Sequence, residues 1–336
     1  MSSHSPPNDL VLFHYVFSPY ARRIVWYLQL RRIPYAQCLV PSYMPRAPLA
    51  ELNVSYRRIP VLAHGREIYC DTRLILSTLD KLFPPSEKYP GLEPQTAEAK
   101  ALTKLLIRYT GDAGIFARGA SLIPTNMPVL KDEKWVKDRE QFSGRKLTIE
   151  AREKGRPESL VHMRDLFVLM EHTLLADGRQ WVLGDNPSVT DIEAVWVLHW
   201  MTTMRGALGT YITEKEFPKT FAYVKRFDTE TKKARGEMEK PVTLKDDQTV
   251  EAILRMSLDA AVKEEVDSSD PTGLRKGEEI EMWPIDSGFS HKDEGELVGL
   301  SADEMIIRKQ AKGKELRIHY PRWGFRIARA GDKAHL

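Results

Sequence analysis

The sequence has few cysteines and lacks any long apolar run. Only two of its 336 residues are cysteine, Cys38 and Cys70, which is too few for a disulfide framework or a cysteine-based zinc cluster. No apolar run is long enough to span a bilayer. The polar N-terminus has neither the basic start nor the apolar stretch of a secretory signal. These features predict a cytoplasmic protein with no membrane partner.

The sequence also lacks a marked excess of either charge. Lys and Arg number 50 and Asp and Glu number 47, so the formal net charge is only +3. This charge is too small to indicate nucleic acid as the main partner. The sequence contains no glycine-rich phosphate loop and no Gly-x-Ser-x-Gly elbow, and its histidines do not show the spacing of metal ligands. We therefore expect no metal cofactor.

The first chemically suggestive stretch is Ser18-Pro19-Tyr20. It follows an apolar run at residues 10–16 that is typical of a buried strand, and it precedes a helical pattern at residues 24–28. Proline fits the first position of a helix because its missing N–H would have no partner there. Ser18 would then lie beside free backbone N–H groups and the positive end of a helix dipole, where a thiolate or carboxylate is stabilised. The alternative is that Ser18 only caps the helix.

Two further signals follow within the first ninety residues. Ile59-Pro60 opens a short apolar strand, where proline indicates either a sheet edge or a cis peptide bond. Asp71-Thr72 precedes the next helical pattern and has the residue types that cap helices. The alternation of strands and helices in this part predicts a small α/β layer.

These three signals, in this order, resemble the thioredoxin-like domain of glutathione transferases. The resemblance covers residues 10–85 and points to the serine or cysteine branch of the family, which includes the tau, zeta and omega classes. Ser18-Pro19-Tyr20 matches the start of the first helix, Ile59-Pro60 matches the cis-proline position, and Asp71-Thr72 matches a pair that is usually Glu-Ser.

The resemblance implies glutathione as cosubstrate and a role for each motif in binding it. Ser18 would donate a hydrogen bond that favours the thiolate, because a free thiol has a pKa of about 8.5. Ile59-Pro60 would pair with the cysteinyl backbone, while Asp71-Thr72 would hold the γ-glutamyl ammonium and carboxylate. Tyr20 completes the first motif. Arg58 would meet the glycyl carboxylate, unless it is only a surface charge.

Two other residues compete for attention in this region. Tyr15 lies three residues before Ser18, and other classes of the family use a tyrosine near the end of the first strand as the donor to the thiol. Cys70 could be a redox-sensitive thiol, although a buried structural cysteine is the commoner case. No cysteine occupies position 18, which argues against thiol exchange of the glutaredoxin kind.

From about residue 95 to 224 the pattern becomes helical, with apolar stripes at a spacing of three to four residues. Ser188 and Asp191 have the spacing of a capping box, and the helix after them is apolar nearly all round, which predicts burial. This part resembles the all-helical second domain of glutathione transferases. A further short helix at 249–257 is expected to pack on that second domain.

The last part of the sequence changes period. After residue 278 five segments alternate with a period of two and predict an all-β, barrel-like domain: 279–283, 295–300, 305–308, 316–320 and 324–328. This tail resembles that of fungal glutathione-transferase-like proteins, with 321–325 as a signature-like stretch. Residues 319–326 interleave basic and aromatic side chains, as some nucleic-acid-binding barrels do, but nearby acidic residues dilute their charge, so we predict a packing or dimer-support role.

The predicted architecture has three parts: a thioredoxin-like domain at 1–90, an all-helical domain at 91–265 and a β domain at 266–336. The predicted function is that of a glutathione S-transferase, which joins the sulfur of glutathione to a small hydrophobic electrophile. A glutathione-assisted isomerase or cyclase in a biosynthetic pathway, and a non-catalytic binding or regulatory protein, remain open because a fold alone does not decide function. The resemblance also implies a homodimer.

Overall fold

The computed structural model describes residues 5–332. Its first region is the predicted thioredoxin-like α/β layer: β1 Leu10–His14, α1 Pro19–Leu30, β2 Ala36–Leu39, α2 Ala47–Glu51, β3 Val61–His64, β4 Glu67–Cys70 and α3 Thr72–Leu82. All five residues of β1 are buried, and consecutive side chains enter opposite cores. This follows from the alternation of side chains along a strand that is covered on both faces.

The second region is helical, as predicted: α4 Ala97–Ile107, α5 Ile115–Ser121, α6 Glu133–Ser143, α7 Ile149–Leu169, α8 Val189–Thr203 and α9 Pro218–Gly236. The predicted capping box is confirmed, since the Asp191 carboxylate accepts a hydrogen bond from the Ser188 N–H at 2.9 Å. Helix α8 is almost wholly buried. It packs against α1 and α4, so it fixes the helical region to the first region.

The third region supplies β5 Val242–Leu244, α10 Asp246–Arg255 and five more strands: β6 Glu279–Pro284, β7 Asp293–Leu300, β8 Glu304–Ala311, β9 Lys314–Pro321 and β10 Phe325–Arg329. The five predicted strands are confirmed. We expected the short helix at 249–257 to pack on the helical region. That prediction is wrong, because this helix, α10, contacts α2 of the first region. Val250 and Ile253 join the core on that side of the sheet.

The strands of the first and third regions form one sheet of ten strands, in the order β10-β6-β7-β8-β9-β4-β3-β1-β2-β5. The two halves join where β9 pairs in parallel with β4, with Glu67 opposite Arg317 and Tyr69 opposite His319. The five strands between residues 279 and 329 are β structure, as predicted, and they extend the first sheet. Within residues 5–332 no helix combines the length and apolarity needed to cross a membrane.

Candidate functional site

The register of the sheet brings the three sequence motifs to one edge. Phe13 of β1 is paired with Val61 of β3, and Val61 is paired with Cys70 of β4. The chain segments just beyond this row are the turn after β1, the residues before β3 and the first turn of α3. The row therefore places the Ser18, Ile59-Pro60 and Asp71-Thr72 motifs at the same end of three adjacent strands.

Ser18 is the N-cap of α1. Its Oγ accepts a hydrogen bond from the Ala21 N–H at 3.2 Å, and its own N–H donates to the Tyr15 carbonyl at 3.0 Å. The capping that the sequence indicated is therefore present, and Ser18 is buried. A hydroxyl that accepts at a cap keeps its own O–H free to donate, so capping and activation of a thiol are compatible.

Tyr15, the alternative donor, lies in the same turn. It is half-buried, and its ring lies 4.8 Å from that of Phe17, which is exposed. The two residues form a small aromatic surface after β1. The geometry alone does not rank Tyr15 against Ser18, because both lie at this edge of the sheet.

The peptide bond between Ile59 and Pro60 is cis, which confirms one of the two interpretations of that proline. Ile59 is buried. The loop before it is held from the C-terminal region, because the Asp293 carboxylate accepts hydrogen bonds from the N–H groups of Ser55 and Tyr56 at 2.8 and 3.0 Å. The position of the cis-proline loop thus depends on a residue of β7 that the sequence patterns did not single out.

Asp71 and Thr72 begin α3, as predicted from their capping ability. Asp71 accepts hydrogen bonds from the Arg73 N–H at 3.0 Å and from the Arg73 Nε at 3.2 Å. Burial by itself would raise the pKa of Asp71, but the Arg73 guanidinium and N–H, with help from Arg58 and Arg23, hold it below the ordinary value. Asp71 has φ +72°, which is uncommon outside glycine and is often found at functional sites.

Thr72 connects α3 to α1 through a residue whose role the sequence did not reveal. Its Oγ1 accepts a hydrogen bond from Arg23 Nη1 at 2.9 Å. Arg23 also forms a buried ion pair with Glu193 of α8, at 2.5 Å. Arg23 adjoins the Ser18-Pro19-Tyr20 motif in the sequence, but its partners are 49 and 170 residues away, so no local signal points to them.

Tyr20 faces the helical region. Its ring lies 4.7 Å from the rings of both Phe116 and Trp196, and it is partly buried. Burial, opposed by Arg23 and Arg58 and reinforced by Asp71 and Asp286, raises the pKa of Tyr20 to about 12. The aromatic position of the first motif therefore serves at least to pack α1 onto α8.

Arg58 is not a free surface charge. It is paired with Asp286, and its Nη2 donates to the Ser287 carbonyl oxygen at 2.6 Å and to the Ser287 Oγ at 3.2 Å. Both partners lie between β6 and β7, 228 and 229 residues away in the chain. The resemblance assigns the Arg58 cation to the glycyl carboxylate of glutathione. In this structure that cation instead contacts a carboxylate of the chain itself, that of Asp286.

Cys70, the cysteine that precedes Asp71, is sealed from solvent. Cys70 is fully buried, and burial raises the pKa of its thiol well above the ordinary value. Among residues 5–332 no group of three or more His, Cys, Asp or Glu side chains could hold a metal ion. A groove of about 560 Å³ is lined by residues 91–102 and 179–188 and contains none of the candidate residues.

Comparison with known proteins supports this assignment of the fold. Residues 12–87 match the family described as glutathione S-transferase, N-terminal domain. Residues 118–236 match a domain of unknown function, DUF7962. Glutathione S-transferase U1 of Arabidopsis thaliana is 23% identical over 222 residues, which are 65% of this chain and 84% of that protein. A probable glutathione S-transferase of Solanum tuberosum is 26% identical over 99 residues, which are 29% of this chain but only 43% of that protein.

A solved structure extends the comparison to the C-terminal strands. The crystal structure of a glutathione S-transferase-like protein from Pseudomonas syringae is 21% identical, with a TM-score of 0.69, and covers 96% of this chain and 99% of that one. That coverage is more than residues 1–265 alone could supply, so the shared fold includes strands of the C-terminal region. Residues 12–87 therefore belong to the N-terminal domain family of glutathione S-transferases, and the chain as a whole shares the fold of a glutathione S-transferase-like protein.

Proposed function

We propose that this protein is a glutathione S-transferase in which Ser18 activates the thiol of glutathione. The observation that carries the proposal is the row Phe13–Val61–Cys70, beyond which the three motifs lie together. The Ser18 O–H would donate to the sulfur, and the N-terminus of α1 would add its positive dipole. Both interactions favour the thiolate, so more of the nucleophile is present at neutral pH.

The other motifs position the peptide. Asp71 is an ionised, buried carboxylate that suits the γ-glutamyl ammonium, while Thr72 and the first amides of α3 suit its carboxylate. The backbone at Ile59-Pro60 is assigned to the cysteinyl unit. The thiolate then attacks an electrophilic carbon of a small hydrophobic second substrate, forming the carbon–sulfur bond as the leaving group departs.

The resemblance adds two expectations about the protein as a whole. We include in the proposal a homodimer, which light scattering can check, and a cytoplasmic location. The homodimer rests on the family resemblance and the location on the sequence composition, and neither is needed for the chemistry at Ser18.

The test is substitution of the serine. Ser18→Ala removes a hydrogen bond to an anion, which contributes about 1.5 to 3 kcal/mol, so kcat/KM for conjugation of glutathione to an aryl halide should fall about 10- to 100-fold. The ultraviolet absorbance of the bound thiolate should also appear only at higher pH, because the pKa of the bound thiol rises. Ser18→Thr keeps a hydroxyl and should restore part of both, while Tyr15→Phe should leave both unchanged.

The outcomes separate the competing functions. A loss of activity in Tyr15→Phe, with Ser18→Ala unaffected, would assign the donor role to Tyr15. Glutathione binding in calorimetry without consumption of thiol in a substrate screen would favour an isomerase or a non-catalytic binding protein. Absence of glutathione binding would refute the proposal altogether.

A further inference from the structure

A segment of the C-terminal region crosses the edge of the proposed glutathione site. Residues 285–291, which we call the strap, join β6 to β7. On one side Asp286 and Ser287 bind Arg58 of the first region. On the other side the Gly288 N–H donates to the Phe142 carbonyl of α6 in the helical region, at 2.8 Å. The strap therefore spans the thioredoxin-like and helical regions.

The strap fits closely against both regions. Gly288 has φ +69°, and a Cβ at this position would lie 3.0 Å from Phe142 Cε2 and 3.1 Å from Arg57 Cγ. A side chain there would need both neighbours to shift. The Ile285 N–H also donates to the Gly324 carbonyl at 3.1 Å, which ties the strap to the turn at 322–324. The position of Asp286 is thus set by the backbone around it.

The charges at this edge are already paired within the chain. Arg73 binds Asp71, Arg23 binds Glu193, and Arg58 binds Asp286. Of these three carboxylates, Asp286 is by far the most exposed, at 68% of its side chain. Among residues 5–332 the buried Arg58 Nε has no hydrogen-bond partner. Arg58 therefore keeps an unused donor beside a partner that solvent can reach.

This inference rests on the proposed function. We propose that Asp286 is a specificity-determining residue, whose carboxylate competes with the glycyl carboxylate of glutathione for Arg58. A ligand with a glycyl carboxylate must displace Asp286 to gain Arg58, so it gains little net affinity there. The site is consequently tolerant of thiol peptides in which that carboxylate is masked. Because exposed ion pairs are weak, the competition costs a few-fold in affinity and does not close the site.

The test compares two ligands in three proteins by titration calorimetry. The ligands are glutathione and its glycyl monoethyl ester, which differ only in the charge at the glycyl end. The proteins are the wild type, Asp286→Asn and Asp303→Asn. Asp303 is an exposed carboxylate in the turn before β8. Asp303→Asn is the control, because it changes the net charge by the same amount as Asp286→Asn. Circular dichroism checks that each variant is folded.

We expect the wild type and Asp303→Asn to bind the two ligands with similar affinity. Asp286→Asn should bind glutathione about five-fold more tightly than the ester, which corresponds to about 1 kcal/mol for an exposed pair. Adding Arg58→Ala to Asp286→Asn should remove that preference. The preference should also decrease as salt is added.

Three results would overturn the inference. An unchanged ratio in Asp286→Asn would mean that the two carboxylates do not compete. Weaker binding of both ligands would mean that Asp286 supports the site by holding Arg58 in place. If neither ligand bound to any of the proteins, the proposed function itself would be refuted, and the inference with it. This failure is distinguishable from the first two, in which the ligands still bind.

Discussion

Two of the places where the C-terminal region meets the rest of the molecule differ sharply in burial. At the seam between β4 and β9, Glu67 binds Arg317 and His319, and none of the three side chains is more than 6% exposed. Along the strap and the turn at 322–324, the contacts are made by Asp286 and Trp323, which are 68% and 56% exposed. One contact is sealed from water and the other is open to it.

This difference indicates two roles for one region. Removing a partner from a buried ion pair takes a counter-charge away where water cannot replace it, so the seam should dominate the stability of the joined sheet. An exposed pair is screened by solvent and contributes little. Under the proposal, Asp286 gives up its partner to a ligand, while the seam keeps the strands on either side of the strap in place.

The largest expected effect is that of Glu67→Gln. Glutamine keeps the shape of the side chain but removes its charge, leaving Arg317 and His319 buried beside it. We expect the free energy of unfolding to fall by about 3 to 5 kcal/mol in urea titrations.

The matched control for Glu67→Gln is Glu237→Gln. Glu237 forms an ion pair with Arg32, and the Arg32 and Glu237 side chains are 49% and 40% exposed. The substitution therefore removes the same type of charge from a pair that solvent reaches. We expect a loss below about 1 kcal/mol. Equal losses in the two variants would mean that burial does not distinguish the seam from surface pairs.

The next effect is on the pH dependence of stability. Burial would lower the pKa of His319, but hydrogen bonds to Glu304 and Glu67 raise it above the ordinary value. A raised pKa contributes stability fully below the unfolded value of about 6.5, and that contribution is lost as the pH rises through the folded pKa. Glu67 behaves oppositely, since hydrogen bonds from His319 and Arg317 outweigh burial and lower its pKa, so its contribution is lost on acidification.

The measurement is the urea midpoint of the wild type and of His319→Gln as the pH rises from about 6 to about 9. The advantage of the wild type should be greatest near the acidic end of this range and should shrink as His319 loses its proton. An advantage that stays constant would show that His319 is not charged in the seam.

The sequence predicts best what is local. Ser18 and Asp71 were identifiable because caps are defined by residue types and by a change of period within a few positions. The five C-terminal strands were identifiable by their period of two. Of the interleaved basic and aromatic residues at 319–326, the first two, His319 and Tyr320, are buried in the structure.

The rest could not be predicted because it depends on pairs far apart in the chain. Glu67 and Arg317 are 250 residues apart, and each has the residue type of an ordinary solvent-facing strand position. Arg58 and Asp286 are likewise far apart in the chain, separated by 228 residues. Periodicity indicates which face of a strand is buried, but it does not identify the neighbouring strand. Neither segment therefore predicts that β4 pairs with β9.

The smallest expected effect on global stability is that of Trp323→Ala. Trp323 donates from Nε1 to Asp112 at 2.8 Å, and the Arg108 guanidinium lies 3.5 Å from its ring centre. An exposed cation–π contact contributes about 0.5 to 1 kcal/mol, so the free energy of unfolding should fall by about that amount. Hydrogen exchange in residues 285–291 and 322–324 should nevertheless become faster, because local openings need not involve the seam.

The control for Trp323→Ala is Tyr211→Ala, which removes another exposed ring near an arginine, Arg164, in the helical region. It should leave exchange in the strap unchanged. If Trp323→Ala lowered global stability as much as Glu67→Gln, the loops would belong to the same cooperative unit as the seam. The two contacts could then not act separately, and a ligand that displaced Asp286 would have to destabilise the joined sheet as well.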